Sequence, residues 1–219
     1  MKIIFLGPPG AGKGTYASRL SPILKVPQIS TGDIFRAEVA SGSVLGKKLD
    51  AIMKKGELVP DELTVKTLMA RIGKPDCRNG FILDGFPRTI NQAEMLDKKT
   101  KIDHVLNILL DRDILIRKME ARRVCKSCGK IYNVADIKVG SLHMPPLLPK
   151  KKGVCDDCKG PLIQRKDDTK EIIEDRMKEY ERKTAPLIEY YRKRGMLKDV
   201  KVVGGPEIMI KNILKLIGK

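Results

Sequence analysis

The sequence predicts an α/β protein built on a five-stranded parallel sheet with helices on both faces. Two observations lead there. The chain opens on Lys2-Ile-Ile-Phe-Leu6, an apolar run of strand length, then Gly7-Pro-Pro-Gly-Ala-Gly-Lys-Gly-Thr15, then a helical pattern with Tyr16, Ala17 and Leu20 as its apolar positions. Strand-length apolar runs recur along the rest of the chain with longer helical patterns between them, and such alternation requires crossover connections and parallel strands. At 219 residues the chain holds one large α/β domain with insertions more readily than two equal domains.

Ile3 to Leu6 is the first strand, and Val26-Pro-Gln-Ile-Ser30 is a short second. Three helical stretches follow in a row, Asp33 to Ala40, Val44 to Lys54 and Asp61 to Ile72, punctuated by Gly42, Gly46, Gly56 and Pro60. They read as a helical insertion before the third strand, Phe81-Ile-Leu-Asp84. His104 to Leu110 is the fourth strand and Val200 to Val203 the fifth. Residues 122–168 break the alternation: they carry four paired cysteines, Pro145, Pro146 and Pro149, and few helix signals. A long helix is expected from Asp168 to Arg194, with Ile172, Ile173, Met177 and Tyr180 on one face and Glu174–Lys178 and Glu179–Lys183 as i,i+4 pairs. The last helix, Pro206 to Leu216, has an apolar stripe of Ile210, Ile213, Leu214 and Ile217 that suits core packing.

Lys+Arg 44 against Asp+Glu 27 gives a net charge of +17, which favours anionic partners. Aromatic content of 4% without Trp argues against a single-strand stacking platform. No apolar stretch approaches membrane-spanning length, so no membrane partner is expected. Five cysteines behind an N-terminus that reads directly into a strand predict a reducing, cytoplasmic setting.

A strand, a glycine-rich turn and a helix N-terminus make an anion site, because unobstructed backbone N–H groups and the helix dipole converge there. Gly7 to Lys13 fits the phosphate-loop pattern, and Gly14 then departs from it where Ser or Thr is usual, Thr15 coming one residue later. The loop is therefore read as a nucleoside triphosphate site. Asp84 ends a strand beside it, placed like an acidic residue that holds Mg²⁺; a turn carboxylate capping the next segment is the alternative. Arg88, Arg122, Arg123, Arg165 and Arg176 gather where the chain enters and leaves its insertions, and the planar guanidinium fork binds phosphate oxygens in pairs.

Cys125-Lys-Ser-Cys128 and Cys155-Asp-Asp-Cys158 are two C-x-x-C pairs that can seat four thiolates on one ion. Zinc is the expected occupant, in a closed structural site; an iron–sulfur cluster, disulfides or unliganded thiols are the alternatives. Gly129 and Gly160 stand after the second cysteine of each pair, where a turn folding back on a metal calls for positive φ. Cys77 is expected to be a buried, inert thiol.

Gly7–Thr15, Ser30-Thr-Gly-Asp-Ile-Phe-Arg36, Gly56-Glu-Leu-Val59, Phe81–Thr89 with Gln92, Ala121-Arg-Arg123, Arg165-Lys-Asp-Asp168 and Thr184-Ala-Pro-Leu187 resemble the adenylate kinases in order and spacing, over essentially the whole chain. The resemblance implies the phosphate-loop nucleoside monophosphate kinase fold, reversible transfer of the γ-phosphoryl of Mg-bound ATP to AMP giving two ADP, and a monomer. It also implies three units: a core of residues 1–29, 60–121 and 169–219, an AMP-binding insertion of 30–59, and a zinc-bearing lid of 122–168. By position, Gly10, Ala11, Gly12, Lys13, Gly14, Thr15 and Arg122 would hold ATP. Thr31, Arg36, Glu57, Val59, Gly85, Arg88 and Gln92 would line the AMP pocket. Lys13, Asp84, Arg88, Arg122, Arg165 and Arg176 would surround the transferred group, Arg165 and Arg176 also reaching substrate phosphates. Lys118 stands where many relatives place an arginine against the ATP adenine. Two rival readings are a UMP or CMP kinase, whose relatives generally carry a short lid, and a zinc-ribbon nucleic-acid binder, which leaves the phosphate loop unexplained. AMP is therefore the expected acceptor, and no nucleic acid partner is expected.

Overall fold

The computed structural model describes residues 1–219. Strand β1 (Lys2–Leu6) leads into helix α1 (Lys13–Leu24), then β2 (Gln28–Ser30). Helices α2 (Thr31–Ala40), α3 (Val44–Lys54) and α4 (Asp61–Ile72) precede β3 (Phe81–Asp84), followed by α5 (Ile90–Asp97), β4 (His104–Leu109) and α6 (Arg112–Glu120). Five short strands come next: β5 (Arg122–Cys125), β6 (Ile131–Asn133), β7 (Ile137–Val139), β8 (Leu142–Met144) and β9 (Leu162–Ile163). The chain ends with α7 (Lys170–Glu179), α8 (Pro186–Lys193), β10 (Leu197–Lys201) and α9 (Pro206–Leu216).

The expected five-stranded parallel sheet forms in the order β10-β4-β1-β3-β2. Central β1 is apolar from Ile3 to Leu6 because both of its faces are covered there. Ile3 and Phe5 point into one core with Leu20 of α1 and Met209 and Ile213 of α9, while Ile4 and Leu6 point into the other with Leu68 of α4, Leu96 of α5 and Leu187 of α8. Each such fully buried side chain contributes about 1.5–3 kcal/mol. The five strands of this sheet run the same way, so their carboxyl ends, with Gly7 after β1, Thr31 after β2 and Asp84 at the end of β3, open on one edge.

Three expectations need correction. The last strand spans Leu197–Lys201, not Val200–Val203, because pairing with β4 sets Leu197 opposite Val105 and Lys201 opposite Leu109. This edge strand reads Leu-Lys-Asp-Val-Lys and buries only Val200, so the apolar run marks its end and the following turn. The long helix from Asp168 is interrupted: Tyr180–Thr184 form a π-helical turn, with the Ala185 N–H donating to the Tyr180 carbonyl at 2.8 Å, and Pro186 starts α8. Proline lacks the N–H needed to continue the ladder and crowds the carbonyl four residues back, which the wider turn relieves. Of the two i,i+4 pairs, Glu179–Lys183 forms at 2.6 Å, while Lys178 turns to Asp175. Cys77 is buried as expected, and burial pushes its thiol pKa up.

Helices α2 and α3 pack on each other around Phe35, Leu49 and Val59. Gly46 permits that approach, since a Cβ there would stand 2.3 Å from the Glu38 carbonyl oxygen. In the cysteine segment β5 pairs antiparallel with β6 and β9, and β7–β8 form a separate hairpin. The core beside the cysteines is Cys125, Tyr132 and Cys155, too small to order a unit alone. No helix is long and apolar enough to cross a membrane.

Candidate active site

Helix α1 carries no acidic residue in its first turn and no side-chain cap, so its N-terminal N–H groups keep their partial positive charge for a ligand. Lys13 Nζ donates to the carbonyls of Gly7 and Pro8 at 2.6 and 2.8 Å, which ties the ammonium across the loop. Burial among other cations pushes its pKa down to about 7, against the attraction of Asp84. Burial likewise pushes the Asp84 carboxyl up, with Lys13 opposing. The departure at Gly14 has a steric cause: a Cβ there would stand 2.8 Å from Asp84 Oδ2 and 3.1 Å from Ile131 Cδ1. Glycine lets the carboxylate reach the first turn of α1. Gln28, which the sequence reading passed over, supports it with Nε2 at 3.4 Å from the same oxygen.

The cleft over the loop is lined by Gly10, Gly12, Lys13, Gly14, Thr15, Asp84, Gly85, Arg88, Arg122, Arg165 and Arg176, and extends to Lys118. Ala11 stays out of it: its methyl is in the core and its N–H donates to the Pro8 carbonyl at 3.2 Å. Desolvation lowers the pKa of Arg165 and of Arg176 to about 10, and lowers that of Arg88. Three carboxylates hold the guanidiniums. Fully buried Asp168 accepts from Arg122 Nε at 2.9 Å and from Arg122 Nη2, Asp167 accepts from Arg176 at 2.8 Å, and Asp33 pairs with Arg36 and lies 3.6 Å from Arg165. Arg88 has no carboxylate partner, and the buried Nε of Arg165 has no acceptor. With Asp84 and Glu57, five carboxylates face six cations (Lys13, Arg36, Arg88, Arg122, Arg165, Arg176), a surplus suited to phosphate. Asp167 and Asp168 went unassigned in the sequence; two adjacent carboxylates between arginines were the available signal.

A second pocket lies between α2, α3 and the β3–α5 turn, lined by Thr31, Arg36, Glu57, Val59, Gly85, Arg88, Gln92, Asp167 and Arg176. Gln92 is committed to the scaffold: its Oε1 accepts from the Arg88 N–H at 2.8 Å and its Nε2 donates to Asp61 at 2.7 Å. Arg88 Nε donates to the Gly85 carbonyl at 2.8 Å, and Thr31 Oγ1 donates to the same carbonyl at 3.1 Å. Thr184, at the end of the π turn, donates to the Arg88 carbonyl at 2.9 Å. Both pockets share Arg36, Gly85, Arg88 and Arg176.

The four paired cysteines converge with their sulfurs all within 4.8 Å of one another, Cys125–Cys158 at 3.3 Å and Cys128–Cys155 at 3.6 Å. Tetrahedral ligation with sulfur about 2.3 Å from the ion sets sulfurs roughly 3.8 Å apart, so the cluster fits a four-thiolate metal ion. The Cys158 N–H pulls the Cys155 thiol pKa down to about 6, while burial pushes that of Cys128 up to about 12. Tyr132 donates to Cys155 Sγ at 3.6 Å and accepts from the Asp156 N–H at 2.8 Å. Gly129 has the positive φ expected (77°), but the matching residue of the second turn is Lys159, at 61°. Both turns close alike, Gly129 N–H on the Cys125 carbonyl and Lys159 N–H on the Cys155 carbonyl. Gly160 is needed for space instead, since a Cβ there would lie 2.4 Å from Ser127 Oγ and 3.0 Å from Cys125 Sγ.

The family model described as adenylate kinase matches residues 5–196. Similar curated proteins are the adenylate kinase of Thermosipho africanus, 46% identical over 99% of both chains, and that of Clostridium acetobutylicum, 45% identical over 100% of both. The adenylate kinase of Archaeoglobus fulgidus is 47% identical over 91% of this chain and 90% of its own. With a phosphate loop, a second pocket sharing its arginines, and similarity along its full length, the chain belongs to the adenylate kinase family.

Proposed function

We propose that this protein transfers the γ-phosphoryl group of Mg-bound ATP reversibly to AMP, giving two ADP. One observation carries the reading: the cleft on the phosphate loop and the pocket beside α2 and α3 meet at Arg88 and Arg176, where two phosphate chains would face end to end. A phosphate oxygen of AMP attacks the γ-phosphorus as its bond to the β–γ bridging oxygen breaks, and the electron pair leaves with ADP. A phosphate monoester, with a second pKa near 6, is already anionic, so no general base is needed. Lys13, Arg88, Arg122, Arg165 and Arg176 neutralise the spreading charge and hold the reactants in line. Asp84, facing the first turn of α1 beside Gly14, would hold Mg²⁺ directly or through water, and the ion would supply charge neutralisation on the donor phosphates.

Residues 30–59 act as the AMP-binding unit and 122–168 as a lid that excludes water before transfer, on a core of 1–29, 60–121 and 169–219. Zinc on Cys125, Cys128, Cys155 and Cys158 orders the lid and takes no part in the chemistry. The enzyme acts as a cytoplasmic monomer without nucleic acid. A coupled assay of ADP formed from ATP with AMP, UMP or CMP tests the reading. Turnover with AMP foremost supports it; no ADP, or a pyrimidine acceptor used better, overturns it. A mimic of two adenosines joined through five phosphates should bind across both pockets.

A further inference from the structure

We infer that Asp61 is a positioning residue for the acceptor site, acting through Gln92 to hold Arg88; this rests on the kinase reading above. Asp61 lines neither of the two pockets. It is the first residue of α4, two places after Val59 in the wall of the acceptor pocket. Its carboxylate accepts three side-chain hydrogen bonds, all from the start of α5. Oδ2 accepts from Thr89 Oγ1 at 2.8 Å and from Asn91 Nδ2 at 3.0 Å, and Oδ1 accepts from Gln92 Nε2 at 2.7 Å. The carboxylate thus sits between the first turns of two helices, where both dipoles favour an anion.

The bond from Gln92 carries the effect into the site. Gln92 is 1% exposed and uses both ends of its amide, Nε2 on Asp61 and Oε1 on the Arg88 N–H at 2.8 Å. A carboxylate only accepts and an N–H only donates, so one orientation of the amide satisfies both neighbours. Asp61 therefore decides which end of Gln92 faces Arg88. The Arg88 backbone is held on its N–H by this relay and on its carbonyl by Thr184 at 2.9 Å, and its guanidinium serves both pockets.

Asp61→Asn isolates the link. Its amide oxygen can take the place of Oδ2 and keep Thr89 and Asn91, which turns its amino group toward the Gln92 amino group. Gln92 then meets donor with donor, or flips and sets Nε2 against the Arg88 N–H; either way a buried donor loses its acceptor. Adding Gln92→Glu reverses the polarity of the relay: the new amide donates to one carboxylate oxygen and the Arg88 N–H to the other.

The test measures KM for AMP and for ATP, with AMP affinity by calorimetry, in the unaltered enzyme, Asp61→Asn, Gln92→Glu, the double variant and Asn91→Ala. Each of the first two substitutions should weaken AMP binding and raise its KM about 10-fold, with KM for ATP within about twofold. The double variant should bind AMP more tightly than either single one, the reverse of what two independent losses would give. Asn91→Ala removes an exposed bond to the same carboxylate and should change neither constant. A double variant no better than Gln92→Glu overturns the inference, and that comparison stands even where Asp61→Asn alone folds poorly. Equal rises in KM for AMP and ATP, or AMP affinity within about twofold of the unaltered enzyme in Asp61→Asn, overturn it as well. Absence of ATP:AMP turnover in the unaltered enzyme refutes the kinase reading itself, an outcome distinct from these.

Discussion

Replacing Asp168 with asparagine should unfold the nucleotide-free enzyme early and the liganded enzyme much less so. The Asp168 side chain is fully buried, receives two hydrogen bonds from Arg122, and lies 3.7 Å from Arg176. The Arg122 side chain is itself only 13% exposed, so little water is at hand to screen the guanidinium left behind. Removing one partner of a buried pair costs about 3–5 kcal/mol, because the remaining charge stays buried without compensation. For a chain of this size each kcal/mol moves the unfolding midpoint by about 2–4 °C, giving a drop of about 6–20 °C. Bound phosphates would return negative charge to Arg122 and Arg176, so the five-phosphate mimic should recover part of the loss. Differential scanning calorimetry of Asp168→Asn with and without the mimic reads both effects. A drop under about 2 °C, or an equal drop in the two states, would refute the argument that the carboxylate stands in for substrate charge.

Thr184→Val should leave the Arg88 carbonyl unpaired and lower kcat/KM about 10-fold, with Thr184→Ser restoring it; equal rates in the two variants would show that the bond does not position Arg88. With the Lys13 pKa at about 7 in the free enzyme, the ammonium is mostly deprotonated at pH 8, and a triphosphate favours its charged form. Binding at pH 8 should therefore take up a proton, read by calorimetry in two buffers of different ionisation enthalpy, and Lys13→Met should abolish the uptake. By the same linkage, the free enzyme binds fewer protons at Lys13 than the unfolded chain above pH 7, so this group makes stability rise with pH from about 7 toward the ordinary lysine range. A Lys13→Met variant with the same pH slope would contradict that. Stripping the metal proposed on the four cysteines with a chelator should lower the melting midpoint while activity survives at low temperature; activity lost in proportion to the metal would assign the ion a part in the reaction.

Much of this protein is written in local sequence because the signals are local. The run at Ile3–Leu6 and its glycine turn specify a strand, an anion cradle and a helix start within thirteen residues of chain (3–15), and the C-x-x-C pairs carry their ligands at fixed spacing. Helices α3, α4 and α9 start and stop where their periodicity indicates. Contacts made at a distance were not legible. That Asp33 reaches Arg165, and that Asp167 and Asp168 hold Arg176 and Arg122, follows from segments brought together across two insertions, and no spacing along the chain encodes it. The Asp33–Arg36 pair, at i,i+3 on one helix, is local. The glycine at 14 reads as an irregularity until folding sets Asp84 against it. The bounds of β10 came from pairing with β4, and the break at Tyr180–Thr184 from fitting Pro186 onto a helix that must also deliver Thr184 to Arg88. Sequence by itself determined the fold class, the phosphate loop and the four-cysteine cluster, because each rests on a continuous run or a short spacing. Only the tertiary structure decided which charges neutralise which and which polar groups remain free for substrate, because burial and pairing are properties of neighbours in space.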